Sequence, residues 1–252
     1  MRNFKLFFPV LPATLASLFL LFTSCGLQDI TAVFEYAAWP TAKVIYDTGD
    51  TSLRYFDFTT GSEPTVPSGT TANFWFLGTA VYYKIYNSFT TLQTEANSIT
   101  ASQTTTSSNG AGFSRLVSFG YQPLNLDTNK NYYFSALSTP MQIRLYDEGY
   151  TGPPPSSDYY IYPAGITGLA SPPLRQQNTK GFNFYRPTAD PNPIGSDPMP
   201  DPSNSDVNFT STEPPADLWY VNAFAVTVAQ DLATFMPIYS PVIYLGYILV
   251  NP

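Results

Sequence analysis

The strongest constraint on the fold is a set of three long stretches dominated by aromatic and β-branched residues. They are residues 74–87, Leu218–Val228 and Val242–Val250. In the first of them, Val81, Tyr83 and Ile85 fall on one face of a strand, because side chains alternate with period two. The last stretch is apolar on both faces, so both of its faces should be covered. The chain is therefore predicted to form long strands in a packed sheet.

Further strands are predicted where short apolar and aromatic runs are bounded by Gly, Pro, Asn and Asp. These runs are residues 42–46, 52–58, 113–119, 131–137, 141–146, 158–163 and 181–186. One short helix is predicted over residues 88–100, where apolar residues from Phe89 to Ile99 recur at helical spacing. Gly78 interrupts the first long strand and indicates a bend or bulge. Many strands, polar turns and little helix favour an all-β sandwich or barrel.

Three segments resemble strands of fibronectin type III domains and related immunoglobulin-like sandwiches. Tyr82–Tyr86 (YYKIY) resembles strand C, Trp219–Val226 (WYVNAFAV) resembles strand F, and Ile238–Val242 (IYSPV) resembles the Ser-Pro start of strand G. The resemblance implies a sandwich with long loop insertions, since about 130 residues separate the C-like and F-like strands, more than that fold needs. Leu126–Leu137 is also similar to an E–F corner, so one decorated sandwich and two overlapping ones both stay open.

The N-terminus carries the parts of a secretory signal. Arg2 and Lys5 precede an apolar run over residues 6–25, and the small residue Ser24 precedes Cys25, the only cysteine. An uncleaved transmembrane helix is the weaker alternative, because such a helix needs about 20 apolar residues, whereas residues 6–25 contain two prolines and end in the polar pair Thr23-Ser24 before Cys25. A cleaved signal with an incidental cysteine is a second alternative.

Residues 23–25 (TSC) resemble the lipobox of bacterial lipoproteins, and Phe22 stands where the usual motif has Leu, a relaxation that spirochaete lipoboxes share. The resemblance implies lipidation of Cys25 after cleavage of the leader, which would anchor the mature chain to a membrane. Gly26 stands where enteric bacteria use Asp to retain a lipoprotein in the inner membrane. In overall character the chain resembles the large exported lipoproteins of spirochaetes.

The predicted organisation follows from this leader. It comprises a signal peptide (1–24), a lipidated N-terminus and tether (25–39), and a β-sandwich domain (40–252) with loop insertions at 101–112, 147–158 and 187–206. The mature chain has 228 residues, 252 less 24, which suits one large β domain or two small ones. The three loops are rich in Pro, Ser, Thr, Asn and Asp, and we expect them to form an exposed binding surface.

Charge and histidine content exclude several classes of function. Removal of Arg2 and Lys5 with the leader leaves 9 basic residues against 18 acidic ones, a net charge of −9, which argues against nucleic acid as a partner. The chain contains no histidine. Ser-His-Asp catalysis, histidine-rich zinc sites and the commonest general base are therefore unavailable to it.

A weak candidate for a cation site lies in the acidic segment at 187–206. Asp201, Asn204 and Asp206 offer the hard oxygen ligands that Ca²⁺ prefers. Their spacing matches no EF-hand, and the prolines between them favour a solvated loop. We expect no cofactor in this chain.

Aromatic side chains provide a second weak candidate site. Trp39, Trp75 and Trp219, together with tyrosine-rich stretches at 82–86 and 159–162, would stack on sugars if they were exposed. Packing inside the sandwich is the simpler interpretation, because aromatic residues dominate β cores.

Glycosidase chemistry requires two placed carboxylates. Candidate acids near strand ends are Asp57, Glu63, Asp147, Glu148, Glu213 and Asp217. Their spacing singles out no pair, so we expect no catalytic residues and no enzyme activity.

The leading expectation is a lipid-anchored protein of the bacterial cell envelope, in the outer membrane or facing the periplasm, with an interaction or structural role. Its partner would be a protein or a glycan. A carbohydrate-binding module and a carboxylate-dependent hydrolase are the alternatives.

Overall fold

The computed structural model of the protein describes residues 55–62, 74–103, 110–126, 132–145, 161–163, 173–175, 182, 184–185, 197–211 and 219–250. All of them belong to the unit Ala32–Pro252, and none belongs to the unit Met1–Thr31.

Twelve strands and two helices lie in the described residues. In chain order they are β1 (Tyr55–Thr59), β2 (Phe74–Tyr86), α1 (Phe89–Ala101), α2 (Ala111–Ser118), β3 (Gln122–Pro123), β4 (Tyr133–Phe134), β5 (Pro140–Arg144), β6 (Ile161–Pro163), β7 (Phe184–Tyr185), β8 (Asp197–Pro198), β9 (Val207–Asn208), β10 (Trp219–Asp231), β11 (Pro237–Tyr239) and β12 (Ile243–Val250).

The largest sheet is built on β2 and β10. These two strands pair antiparallel from Phe74 opposite Asp231 to Tyr86 opposite Tyr220. On its other side β10 pairs antiparallel with β11 and β12, and β3, β4 and β9 add short pairings to β2. β1, β5 and β6 form a separate antiparallel sheet, and β7 pairs with β8.

The large sheet and the three-stranded sheet pack as a sandwich, which confirms the predicted mostly-β architecture. Val81, Tyr83 and Ile85 share the buried face, as the period-two pattern predicts. They pack with alternate residues of β10 against the three-stranded sheet. The buried residues contributed by β1, β5 and β10 are Phe56, Phe58, Met141, Ile143, Trp219, Val221, Ala223 and Ala225.

The opposite face of the large sheet is covered by the two helices. The predicted helix at 88–100 is confirmed as α1, and Leu92, Ala96 and Ile99 are buried on one side of it. Ser88 caps the helix, since its side chain accepts a hydrogen bond from the Thr91 N–H at 3.3 Å. Tyr244 and Tyr247 of β12 pack on this layer, and Ile248 packs in the sandwich core, so the last strand is covered on both faces as predicted.

The predicted strand at 113–119 is wrong, because these residues belong to α2. Gly112 and Leu116 are buried one turn apart, and Val117 is 48% exposed. Phe113 stacks on the Tyr239 ring with centroids 3.7 Å apart. The sequence FSRLVSF fits both a strand and a helix, and the contact with β11 and with the sheet face decides in favour of the helix.

Gly78 marks a bulge, as predicted. The register between β2 and β10 shifts there, because Gly78 lies opposite Val228 while Phe76 lies opposite the next residue, Ala229. Gly78 has φ of 135°. A Cβ at this position would lie 2.5 Å from the Phe134 carbonyl oxygen, so glycine lets β4 approach β2 closely.

Other boundaries differ from the predicted ones. Among the described residues, the strand expected at 131–137 covers only β4, and the one expected at 181–186 is represented by β7; each pairs at two positions. The segment at 187–206, predicted as an exposed loop, contains β8 and ends on Asp206, which is 1% exposed. The ends of the predicted loop at 101–112 are helical. Residues 25–39, 42–46, 104–109 and 147–158 lie outside the described residues.

Candidate functional site

An exposed apolar surface lies at the end of the large sheet where β10 turns into β11. Trp75 is 65% exposed, Leu232 42%, Phe235 70% and Met236 64%. Trp75 is on β2 opposite Gln230, at the base of the turn that carries the other three. Of the seven exposed large hydrophobic side chains in the described part of the chain, these four are at this end. We call them the apolar tip, and their concentration makes it the candidate functional site.

The turn of the apolar tip is held by its own hydrogen bonds. The Asp231 N–H donates to the Met236 carbonyl at 2.9 Å. The Asp231 carboxylate accepts from the N–H groups of Ala233 at 2.7 Å and Thr234 at 3.2 Å. The Met236 N–H donates to the Thr234 hydroxyl at 3.3 Å. These bonds fix the backbone of the turn and leave its large side chains in solvent.

Electrostatics at the tip depend on one carboxylate. The N–H of Ala233, followed by the N–H and hydroxyl of Thr234, lowers the pKa of Asp231 below its usual value. Residues 232–238 (LATFMPI) contain no charged side chain. Behind the turn, Ala229 is buried between Phe74 and Ile238. The tip is thus an uncharged surface on a packed base.

A second polar cluster lies between α1 and the large sheet. The Lys84 ammonium donates to Glu95 Oε2 at 2.9 Å and to the Phe119 carbonyl oxygen. The Tyr86 hydroxyl donates to the same Glu95 oxygen at 2.7 Å, and the Asn208 amide donates to Glu95 Oε1 at 2.8 Å. The side chains of Lys84 and Glu95 are 8% and 12% exposed. This cluster ties α1 to the sheet and offers little surface to a ligand.

Two tyrosines continue the cluster into the interior. The hydroxyls of Tyr86 and Tyr121 are 3.0 Å apart, and the Asn222 amide donates to Tyr121 at 2.7 Å. Burial raises the pKa of both tyrosines well above the usual value for a phenol, and the neighbouring Tyr121 and Glu95 raise that of Tyr86 further. Both hydroxyls therefore stay protonated in the folded protein, and Tyr121 accepts the hydrogen bond of the Asn222 amide.

Two of the three residues proposed for a cation site, Asn204 and Asp206, bind an arginine instead. Arg175 is fully buried, and its guanidinium donates to both carboxylate oxygens of Asp206 at 2.8 and 2.7 Å. It also donates to Asn204 Oδ1 at 2.8 Å, and the Tyr83 hydroxyl donates to Asp206 at 2.7 Å. Asp201 is exposed and does not bind the guanidinium: its carboxylate accepts from the Ser203 N–H, and its carbonyl accepts from the Asn204 N–H at 2.9 Å. In this arrangement the guanidinium supplies the positive charge that balances Asp206.

The structure separates the tryptophans proposed for sugar stacking. Trp75 is exposed at the apolar tip, whereas Trp219 is 3% exposed in the sandwich core, so its ring is not available to a sugar. Trp39 lies outside the described residues, as does Cys25. Of the candidate acids, Asp57 is on β1, and the other five lie outside the described residues.

Sequence reasoning missed Leu232, Phe235 and Met236. The available signal was the presence of Leu, Phe and Met in a short connection between two strands, where polar residues are usual. Arg175 and Lys84 were also missed, because their partners are 31 and 11 residues away along the chain. No local pattern connects residues at such distances.

Within the described residues, no helix has the length and apolar character needed to cross a membrane. Comparisons of the chain with protein-family models, with curated proteins and with solved structures found no match.

Proposed function

We propose that the protein is a non-enzymatic binding module of the bacterial cell envelope, anchored by a lipid on Cys25, and that the apolar tip is its contact surface. The observation that carries the proposal is the exposure of Trp75, Leu232, Phe235 and Met236 on a turn whose backbone is fixed by hydrogen bonds. A fixed surface loses little conformational entropy when it binds.

The energetics of the tip fit a contact that works together with an anchor. Covering four partly exposed apolar side chains is worth about 5 kcal/mol, from the usual value for burying such groups. That is a weak interaction for a protein free in solution. Anchoring raises the effective concentration of the tip at the membrane, so a weak contact becomes occupied there.

The anchor is tested by the substitution Cys25→Ala. The proposal expects the variant to leave the membrane fraction or to keep its leader, because the acylated thiol is gone. Fractionation and the electrophoretic mobility of the full chain measure this. A variant that partitions and migrates like the wild type contradicts lipid anchoring.

The contact surface is tested by photo-crosslinking in intact envelopes. A benzoylphenylalanine placed at position 235 should form adducts with whatever covers the tip. The matched control is the same group at Phe209, which is 42% exposed beyond β9, at the opposite end of β2. Adducts at 235 and not at 209 support the proposal, and equal absence at both positions contradicts it.

A carbohydrate-binding module is the second candidate, and the 65% exposure of Trp75 favours it. Trp75 is at the base of the turn that carries the exposed Phe235, so two aromatic rings are available at this end of the sheet. Glycan-array binding by the full chain that is lost in Trp75→Ala and kept in Phe209→Ala would support it. For the hydrolase alternative, only one candidate acid, Asp57, lies in the described part of the chain, so the structure provides no pair of acids to test there.

The finer fold assignment is also a proposal. The order β2–β10–β12, with antiparallel pairing throughout, is the order of strands C, F and G in fibronectin type III sandwiches. The layer of α1 and α2 on the outer face departs from that fold. An experimental structure of the intact domain, compared with known sandwiches strand by strand, tests the assignment.

A further inference from the structure

We propose that the apolar tip enters the interfacial region of a lipid bilayer, so that the domain touches the membrane at a second point beyond its lipid anchor. The inference rests on the proposed function and names the partner of the same surface as a bilayer. Four observations carry it: the chemistry of the exposed side chains, the hydrogen bonds within the turn, the placement of charge and the length of the chain before β1.

The exposed side chains are of the types that bind membrane interfaces. Tryptophan prefers the headgroup level, and Phe, Leu and Met are apolar enough to reach the acyl chains. Phe235 and Met236, which are 70% and 64% exposed, are adjacent in the turn. The positive φ of 57° at Phe235 places a large side chain at a backbone position that usually favours glycine.

The turn satisfies much of its own backbone hydrogen bonding. The N–H groups of Asp231, Ala233, Thr234 and Met236 all donate within residues 231–236. The Phe235 carbonyl accepts from the Gln230 side chain at 3.3 Å. Lipid supplies no hydrogen-bond partners, so a segment that enters it must satisfy its polar groups internally. The hydrogen bonds within the turn lower the cost of moving its backbone out of water, which favours entry into the bilayer.

Charge placement fits shallow insertion into neutral lipid. Residues 232–238 carry no charge, and Asp231 stands at the base of the turn, where a carboxylate would remain at the water level. The chain as a whole is acidic, with a formal net charge of −7. Attraction to anionic lipid is therefore absent, and binding should depend on apolar contact and hardly on salt.

The length of the chain before β1 permits contact with the same membrane. Twenty-nine residues separate Cys25 from Tyr55, and a segment of this length can span at most about 100 Å. The longest strands have 13 residues, which corresponds to about 43 Å at the usual rise per residue. A lipid on Cys25 therefore allows the tip to reach the bilayer that holds the anchor.

The test is fluorescence quenching of the full chain reconstituted in phosphatidylcholine vesicles whose acyl chains carry bromine. Wild type and Trp75→Phe are compared, so that the difference between them reports Trp75 alone. We expect brominated lipid to remove most of the Trp75 emission, and acrylamide in water to quench it less than in the vesicle-free protein. The variant Leu232→Ser/Phe235→Ser/Met236→Ser, which changes only exposed side chains, should abolish the quenching by lipid.

The control moves the reporter to the other end of β2. In Trp75→Phe/Phe209→Trp the new tryptophan should escape quenching by brominated lipid and stay open to acrylamide. Equal quenching at positions 75 and 209, or no lipid quenching of Trp75, overturns the bilayer assignment. If Trp75 is not quenched while crosslinks from position 235 join a protein or a glycan, the proposed contact surface stands and only its partner was wrong. Whether Cys25 carries a lipid anchor is tested separately, by fractionation of the Cys25→Ala variant.

Discussion

At the scale of single residues, Gly78 combines a positive φ with the close approach of another strand's backbone, so it tolerates little change. A Cβ there would meet the Phe134 carbonyl oxygen at 2.5 Å, and the φ of 135° disfavours any other residue. We expect Gly78→Ala to lower the free energy of unfolding by at least about 2 kcal/mol, from backbone strain and the displaced strand together. Urea denaturation followed by circular dichroism measures this change.

Gly120→Ala is the matched control for that substitution. Gly120 also has positive φ, at 81°, but a Cβ there has no neighbour within 4 Å. Its cost should be about 1 kcal/mol, which is the strain of an L-residue in this region. Equal losses of unfolding free energy at the two positions would show that the close approach of β4 to Gly78 does not contribute to the cost of substitution.

Asp231 gives the apolar tip a dependence on pH. Its folded-state pKa is lowered by the N–H groups of Ala233 and Thr234, so its contribution is present above the unfolded value and is lost as the pH falls through the folded pKa. We expect the amide chemical shifts of Ala233 and Thr234 to titrate with a midpoint below 3.8, the usual value for Asp. In Asp231→Asn, whose amide oxygen still accepts, the turn should persist without this titration. A wild-type midpoint at or above 3.8 would contradict the hydrogen bonding described.

At the scale of elements, the pair Lys84–Glu95 holds α1 on the sheet. Removing one partner leaves the other as a nearly buried charge without its counter-charge. We therefore expect Lys84→Met to lower the free energy of unfolding by about 3 kcal/mol. The double variant Lys84→Met/Glu95→Gln should cost less than the sum of its single changes, since neither charge is then left alone. A double-mutant cycle by urea denaturation measures the coupling.

The control for this pair is another polar link to α1. Arg115 of α2 donates to the Ser98 hydroxyl at 3.0 Å, but this contact is exposed. Arg115→Ala should change stability by no more than about 0.5 kcal/mol. A coupling near zero for Lys84 and Glu95 would mean that the helix is held by apolar packing alone.

The elements also show what the sequence can predict. The faces of β2 and β10 follow from period-two alternation, because both strands are long and both of their faces are buried. The helix α2 could not be predicted, because the segment FSRLVSF, which contains most of it, fits either period. The short strands β3 and β7–β9 exist only through pairing with distant residues, as Val207 with Ile85. The apolar tip was missed because composition suggests strands and turns but does not show which side chains remain in solvent.

At the scale of the whole molecule, buried tyrosines should make the fold sensitive to alkali. Burial is the largest cause of the raised pKa of Tyr82, Tyr86, Tyr121 and Tyr244. These groups stay neutral in the folded state but ionise near pH 10 once unfolded, so the stability they contribute is full below pH 10 and is lost as the pH rises above it. Phenolate absorbance near 295 nm follows the ionisation of the tyrosines, and circular dichroism follows the unfolding.

The tyrosines whose pKa is raised by burial should titrate only together with loss of the β-sheet signal. Tyr86→Phe removes one buried phenol and should move the unfolding to higher pH, although it also loses the hydrogen bond to Glu95. If all tyrosines titrated together without any loss of structure, the packing of the helix layer would be wrong.

The central claim is that the apolar tip is covered in the working protein, and hydroxyl-radical footprinting tests it most directly. The full chain is oxidised once as purified protein and once in native envelopes. Rates at Trp75, Phe235 and Met236 should fall severalfold in the envelope, while the rate at Phe209, exposed at the other end of β2, should stay the same. Unchanged rates at all four positions would contradict the claim that this surface is where the protein makes contact.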